Sequence, residues 1–245
     1  MTDPQGLGSR VPDSLKRQVR QACGFGCVVC GGLIIQYEDI DPAISETTAY
    51  EANAMALLCP GCHAEFTSGA MAKEAVAAAR AAPYCRRVGC ASAFVEIGRG
   101  VPSLVFGGVK LVNCPTPIMF QGVPVFTVKQ AEADGAPFRL SGDFYNAYGV
   151  ESLKIVDNEW RALASNWEVE VSGGAITIRD SPAHITLRLV ADPPSGLIVE
   201  QIDMQVRQSR FIGGPDRLIL KQPSGGEAQF TGGMASDCRV GLTIG

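Results

Sequence analysis

Long apolar runs are missing from this 245-residue chain, and none approaches the ~18–20 residues that a membrane-spanning helix needs. The opening MTDPQGLGSRVPDSLKRQVRQ lacks an apolar core of the signal-peptide kind, so a cytoplasmic, membrane-free protein is expected. Positive charge is not in excess either. The net charge of −4 counts against tight nucleic-acid binding by the surface at large and leaves only a local basic patch for that purpose. Aromatic residues are scarce at 7%, and histidine occurs only at positions 63 and 184.

Glycine (28) and proline (15) are plentiful, and 46% hydrophobic residues against 19% charged ones exclude disorder and imply a real core. That balance favours short strands joined by turns over a helical bundle. A chain of this length exceeds the usual ~100–150 residues of one domain, so one large or two modest domains are expected. Nine cysteines, an odd number in a chain without an export signal, point to reduced thiols and metal ligation before disulfides.

Residues 1–12 read as a polar arm. Next, VPDSLKRQVRQACG has a helix signature: Pro12 in the first turn, Asp13 or Ser14 as cap, Leu15 and Val19 on one face, and Gly24 as the stop. LIIQYEDI and AMALLC read as strands, 43–52 as an acidic loop, and AMAKEAVAAARAA as a helix halted at Pro83. Beyond position 90 the period changes to two. FRLSGDFY, VESLKIV, WEVEV, AITIR, HITLRLV and LIVEQIDMQV alternate between turns such as NAYG, DN and SGG, which is the pattern of an antiparallel all-β domain, sandwich- or solenoid-like. The overall expectation is α+β: an arm at 1–12, a zinc-containing module at 13–90 and a β-rich recognition or assembly domain at 91–245. The glycine-rich end of the chain could close the same sheet or lie against a neighbouring subunit.

Cys27-x2-Cys30 and Cys59-x2-Cys62, with about 28 residues between the pairs, place two thiolates on each of two tight turns. Four-cysteine tetrahedral coordination requires this arrangement, and a closed site of that kind holds Zn2+ for structure and not for chemistry. Cys23, Cys85, Cys90, Cys114 and Cys238 follow no pairing pattern and read as ordinary buried thiols.

Between the two pairs lie Tyr37-Glu38-Asp39-Ile40-Asp41-Pro42 and Asn53, and Cys59-Pro60-Gly61-Cys62-His63 closes the segment. The stretch from about Val11 to Pro83 resembles an HNH endonuclease module of the ββα-metal type, in its variant stapled by a four-cysteine zinc. The resemblance covers about a third of the chain. It implies metal-dependent cleavage of DNA, with Mg2+ or another divalent cation held by Glu38 and His63. It also implies that Asn53 fixes the loop between the two strands, and it places Asp39 where the family's first histidine takes the proton of the attacking water. The remainder, from APFRLSGDFYNAYG through WEVEVSGGAITIRDSP, is similar to the C-terminal region of a group of bacterial HNH-domain proteins, which implies no activity for it.

Asp39 departs from that pattern. A general base works best with a pKa near the working pH, which an imidazole at ~6.5 meets and a carboxylate at ~3.9 does not. Asp39 can be a lost base in a metal- or DNA-binding relic, a third cation ligand beside Glu38 and His63, or a replacement that inactivates the module by design. Glu38, Asp39 and Asp41 also crowd negative charge where a phosphate would come. Lys16, Arg17 and Arg20 on the first helix are candidate phosphate contacts, equally readable as a solvated face. His184 reads as a sheet residue. A sheet without nucleophile or phosphate loop suggests oligomerisation or docking to a protein partner through strand edges. The rival to the enzyme is therefore a catalytically inactive zinc module in a structural or nucleic-acid-binding protein.

Overall fold

The computed structural model describes residues 11–40, 51–194 and 196–244. The chain gathers into two units. One holds the sequence up to Ala93 together with Arg161–Val169, and the other holds Phe94–Trp160 and the sequence from Glu170 onward. The division thus falls a few residues beyond the expected 90/91 boundary, and one segment of the β-rich stretch returns to the first unit. Residues 1–10 of the expected arm, and Asp41 with most of the acidic loop, lie outside the described residues. Val11, expected in the arm, is instead buried in the core of the first unit. Strands hold 48% of the described residues and helices 16%, in keeping with an α+β or β-rich class.

The first unit opens with α1 (Asp13–Cys23). Leu15, Val19 and Cys23 recur four apart, so one stripe faces the core. Gly24 ends the helix in the left-handed conformation, and the Phe25 N–H donates to Arg20 O at 2.9 Å, closing the last turn. Strands β1 (Gln36–Asp39) and β2 (Met55–Leu58) pair antiparallel, with Tyr37 opposite Leu57 and Glu38 opposite Ala56. Every residue of β2 is buried. Helices α2 (Pro60–Thr67), α3 (Lys73–Ala81) and α4 (Tyr84–Val88) follow, then β3 (Cys90–Phe94). Pro83 does stop the alanine-rich helix, but it also starts α4, because its fixed φ suits the entry to a new helix.

The second unit is built from β4 (Ser103–Phe106), β5 (Val109–Val112), β6 (Thr116–Phe120), β7 (Val123–Lys129), β8 (Arg139–Tyr145) and β9 (Glu151–Val156). After them come β10 (Glu159–Leu163) and β11 (Glu168–Ser172), each shared between the units. Then follow β12 (Ala175–Ser181), β13 (His184–Asp192), β14 (Gly196–Val206), β15 (Ser209–Gly213), β16 (Leu218–Lys221) and β17 (Glu227–Phe230), and the chain closes with β18 (Gly233–Ser236) and β19 (Val240–Ile244). One sheet runs β19-β6-β7-β8-β9. The other runs β12-β13-β14-β15-β16-β17, with β4, β5 and β18 attached through β14. Buried rings join the two sheets edge to face: Phe120 meets Phe211 at 4.9 Å and Phe106 meets Phe126 at 6.2 Å. The glycine-rich end closes both sheets within the chain, since β18 pairs β5 and β19 pairs β6, each in parallel.

His184 begins β13, and its ring bridges two carboxylates: Nδ1 lies 2.8 Å from Asp180 and Nε2 2.9 Å from Asp203. Arg210 grips Asp203 with two bonds of 2.6 and 2.7 Å. Burial opposes the imidazolium, yet the two carboxylates outweigh it and raise His184 above its ordinary 6.5. The protonated ring is the form the fold binds more tightly. Its contribution is therefore fully present below the ordinary value and fades as the pH rises through the elevated one. Melting curves at pH 6 and pH 8 should show a larger loss of stability for the native chain than for His184→Gln. Equal losses would remove His184 from the pH response.

Candidate metal centre

The four expected cysteines come together. The ligand atoms of Cys27, Cys30, Cys59 and Cys62 all lie within 4.8 Å of one another, with Cys30 Sγ 3.5 Å from Cys59 Sγ and 3.7 Å from Cys62 Sγ. Four sulfurs at ~2.3 Å from one tetrahedral ion would sit about 3.8 Å apart. The set therefore fits a metal ion such as Zn2+, and among the described residues no other group of three or more His, Cys, Asp or Glu gathers so closely.

Local chemistry builds both turns. In the first, Cys27 O accepts from the Gly31 N–H and the Cys27 N–H donates to Gly32 O, each at 2.9 Å. Gly31 turns through φ 81, and a Cβ on Gly32 would press to 3.1 Å from the Cys59 Cβ, so glycine there lets the two turns approach without pushing Cys59 aside. The Val28 N–H then ties this turn to Leu57 O of β2 at 2.9 Å. The second turn is the start of α2. Cys59 is its N-cap, its sulfur accepts from the Cys62 N–H, and Pro60 occupies the first helical position.

The thiols resist ionising together. Burial pushes Cys30 up to about 11 and drives Cys62 well above its ordinary range, with the neighbouring sulfurs adding to both. Burial also opposes the Cys59 thiolate, but hydrogen bonds from the Cys62 N–H and from the other thiols bring it below its ordinary value. Four thiolates in this space need a cation to share their charge.

One residue past Cys62, His63 points its Nε2 at Glu38 Oε2, 2.9 Å away, joining the first turn of α2 to β1. Both side chains are partly buried. Burial pushes the Glu38 carboxyl above the usual range against the pull of His63, and the charge of Asp39 pushes it the same way. Asp39 is harder to account for. Both its oxygens are buried and have no hydrogen-bond partner among the described residues. Such a carboxylate is costly unless a cation or proton meets it. It does not, however, gather with Glu38 and His63 into a three-ligand set as tight as the cysteines.

Asn53 sits exposed in a single turn of 3-10 helix, Ala52–Ala54, before β2. Arg80 of α3 braces the described end of this loop. Its guanidinium donates to Met55 O at 2.8 Å and to Ala52 O at 3.2 Å, while the Ile40 N–H donates to Ala54 O at 2.7 Å. Arg80 was invisible in the sequence because it lies in a run read only for helix propensity.

The three basic residues of α1 do not form a free basic face. Glu168, 2% exposed, takes Arg20 Nε at 2.8 Å and Arg17 Nε at 2.8 Å. Arg20 is itself buried and also donates to the Tyr37 hydroxyl, while Arg17 lies over the Trp167 ring at 4.9 Å. Lys16 pairs with Asp13 at 3.6 Å. In the WEVEV strand, alternation puts Glu168 on the solvent side. The structure buries it because two arginines neutralise it.

No family model, curated protein or solved structure matches the chain. What these residues can do follows from their own chemistry.

Proposed function

We propose that the first unit is a metal-dependent endonuclease module of the HNH kind, hydrolysing DNA phosphodiesters, with Glu38 and His63 as ligands of a divalent cation such as Mg2+. The observation that supports this reading is the Glu38–His63 pair beside the cysteine-built turn. The pair sets a ring nitrogen and a carboxylate oxygen 2.9 Å apart, two donor types that would together hold a divalent cation. A cation bound there would supply Lewis-acid stabilisation of the charge that develops on the phosphate.

Within this reading the four cysteines hold the start of α2 and thereby aim His63 at Glu38. Asp39 stands at the base position with neither oxygen committed to a donor among the described residues, but both are buried, which restricts their access to an attacking water. An ordinary carboxylate is a poor base at neutral pH, and a well-placed general base contributes ~10²–10⁴-fold to rate. Slow nicking is therefore expected of this chain.

The test is plasmid nicking in Mg2+ and in Mn2+. The native chain should nick slowly and His63→Ala not at all. Asp39→His should be faster by roughly 10²–10⁴-fold. His63→Ala leaves the four thiols intact, so unchanged bound metal confirms its fold. If no variant cuts, the module is a zinc-stapled structural piece. The commitment of Arg17 and Arg20 to Glu168 favours that second reading, because it leaves no free guanidinium on α1 for phosphate.

A further inference from the structure

Two connectors in the second unit run side by side. Between β5 and β6 the chain reads Val112-Asn113-Cys114, and between β18 and β19 it reads Ser236-Asp237-Cys238. On one side of the cysteines the parallel ladder pairs Val112 with Ser236, and on the other it pairs Thr116 with Val240. Both pairings carry the same offset of 124 residues that separates Cys114 from Cys238. The register therefore sets the two cysteines opposite each other from both flanks. Their neighbours match as well. Asn113 and Asp237 both adopt positive φ (51 and 54), and the Asn113 amide donates to the Asp237 carboxylate at 2.7 Å. The Asp237 N–H donates to Val112 O at 3.1 Å. The two sulfurs end 3.2 Å apart.

We propose that Cys114 and Cys238 are a modification site, closed by a small disulfide oxidant such as oxidised glutathione into an intrachain disulfide that clasps the C-terminal strands β18 and β19 to the sheets. The inference is independent of the nuclease reading. Adjacent parallel strands are ~4.8 Å apart, within the ~4.4–6.8 Å that Cα atoms span across a disulfide. Bond formation asks only that the sulfurs close the remaining gap.

The order of steps follows from exposure. Cys238 is the more open thiol and Cys114 is buried. Burial, together with hydrogen bonding to Cys238, pushes the Cys114 thiol up, so it is the poorer first nucleophile. The Cys238 thiolate attacks one sulfur of the oxidant, whose S–S bond breaks and releases one thiol. The Cys114 thiolate then attacks the Cys238 sulfur of the mixed disulfide and expels the second thiol. The two protein thiols lose two protons and two electrons, and the oxidant becomes two thiols.

The clasp has something to hold. β18 is a four-residue strand, largely exposed, and a short strand with few buried side chains opens readily. A link across 124 residues removes much of the freedom of the opened chain. An upward shift in melting temperature on the order of 10 °C is expected for the second unit.

The experiment takes the full chain, metal-loaded, through graded ratios of reduced to oxidised glutathione, then blocks free thiols and maps peptides without reduction. The expected result is a single linked peptide pair joining Cys114 to Cys238, with bound metal retained and with trypsin cleavage after Arg239 slowed. Cys114→Ser should instead hold a glutathione adduct on Cys238. If the native chain is alkylated at both positions under oxidising ratios, or carries a lasting adduct on Cys238, the proposal falls. It falls equally if the link forms and cleavage after Arg239 is unchanged. The peptide map of the native chain decides the matter even where a variant misfolds.

Discussion

Cys62→Ser, or prolonged treatment with a strong chelator, is expected to unfold the first unit while the second keeps its sheets. The four sulfurs are the only close metal-ligand cluster among the described residues, and they join the turn before β1 to the turn after β2 at the open end of the hairpin. Apparent binding energies of structural zinc in small domains run ~10–16 kcal/mol at pH 7. Here a core of Val19, Cys23, Leu57 and Leu58 shares the task, so only part of that is lost. Even a third of it is about 4 kcal/mol, comparable with the whole stability of many domains at ~5–15 kcal/mol. The measurements are metal content per chain and a thermal melt. Close to one equivalent of zinc in the native chain, none in Cys62→Ser and an early first transition are expected. A native chain purified under reducing conditions that is free of metal and melts as the variant does would defeat the structural-metal reading.

Glu168→Ala is expected to destabilise the first unit by ~3–5 kcal/mol, which is what removing one partner of a buried pair costs. Two guanidinium groups converge on this one carboxylate. Burial alone would disfavour the charge on Arg20, yet its bonds to Glu168 and Tyr37 raise its pKa far beyond its ordinary range, so it stays charged at any working pH. Without Glu168 that charge is buried with, among the described residues, only the Tyr37 hydroxyl to meet it. Arg17, at 32% exposure, can turn to water, so Arg17→Ala should cost no more than ~1 kcal/mol. The double variant Arg20→Met with Glu168→Leu removes both charges and should recover most of the loss, because apolar replacements of a buried pair are often neutral. Urea unfolding of the four proteins would show it. A double variant as unstable as Glu168→Ala would place the effect in packing and not in charge.

Local chemistry was legible from the residues. The spacing Cys27-x2-Cys30 and Cys59-x2-Cys62 names its geometry because two residues are what a tight turn needs to present two sulfurs to one ion. Leu15 and Val19 mark the buried stripe of α1, Gly24 marks its stop, and period-two alternation marks β8, β9 and β12–β14. Each of these depends on neighbours within a few residues, where backbone geometry alone sets which side chains meet.

The long-range contacts were not legible. Arg20 looked like a phosphate contact until Glu168, 148 residues away, was found against it. Arg80 looked like one more residue of an alanine-rich helix until Met55 O and Ala52 O were found against it. Cys114 and Cys238 looked like unrelated buried thiols until the ladders on either side put them in register. A charge is free or paired, and a thiol isolated or partnered, according to what the packed strands bring opposite it. The sequence by itself determined the metal-binding turns and the two regimes of periodicity. Only the tertiary structure decided the partners of the buried charges and thiols, because strand register across more than a hundred residues is set by collective packing and not by any local pattern.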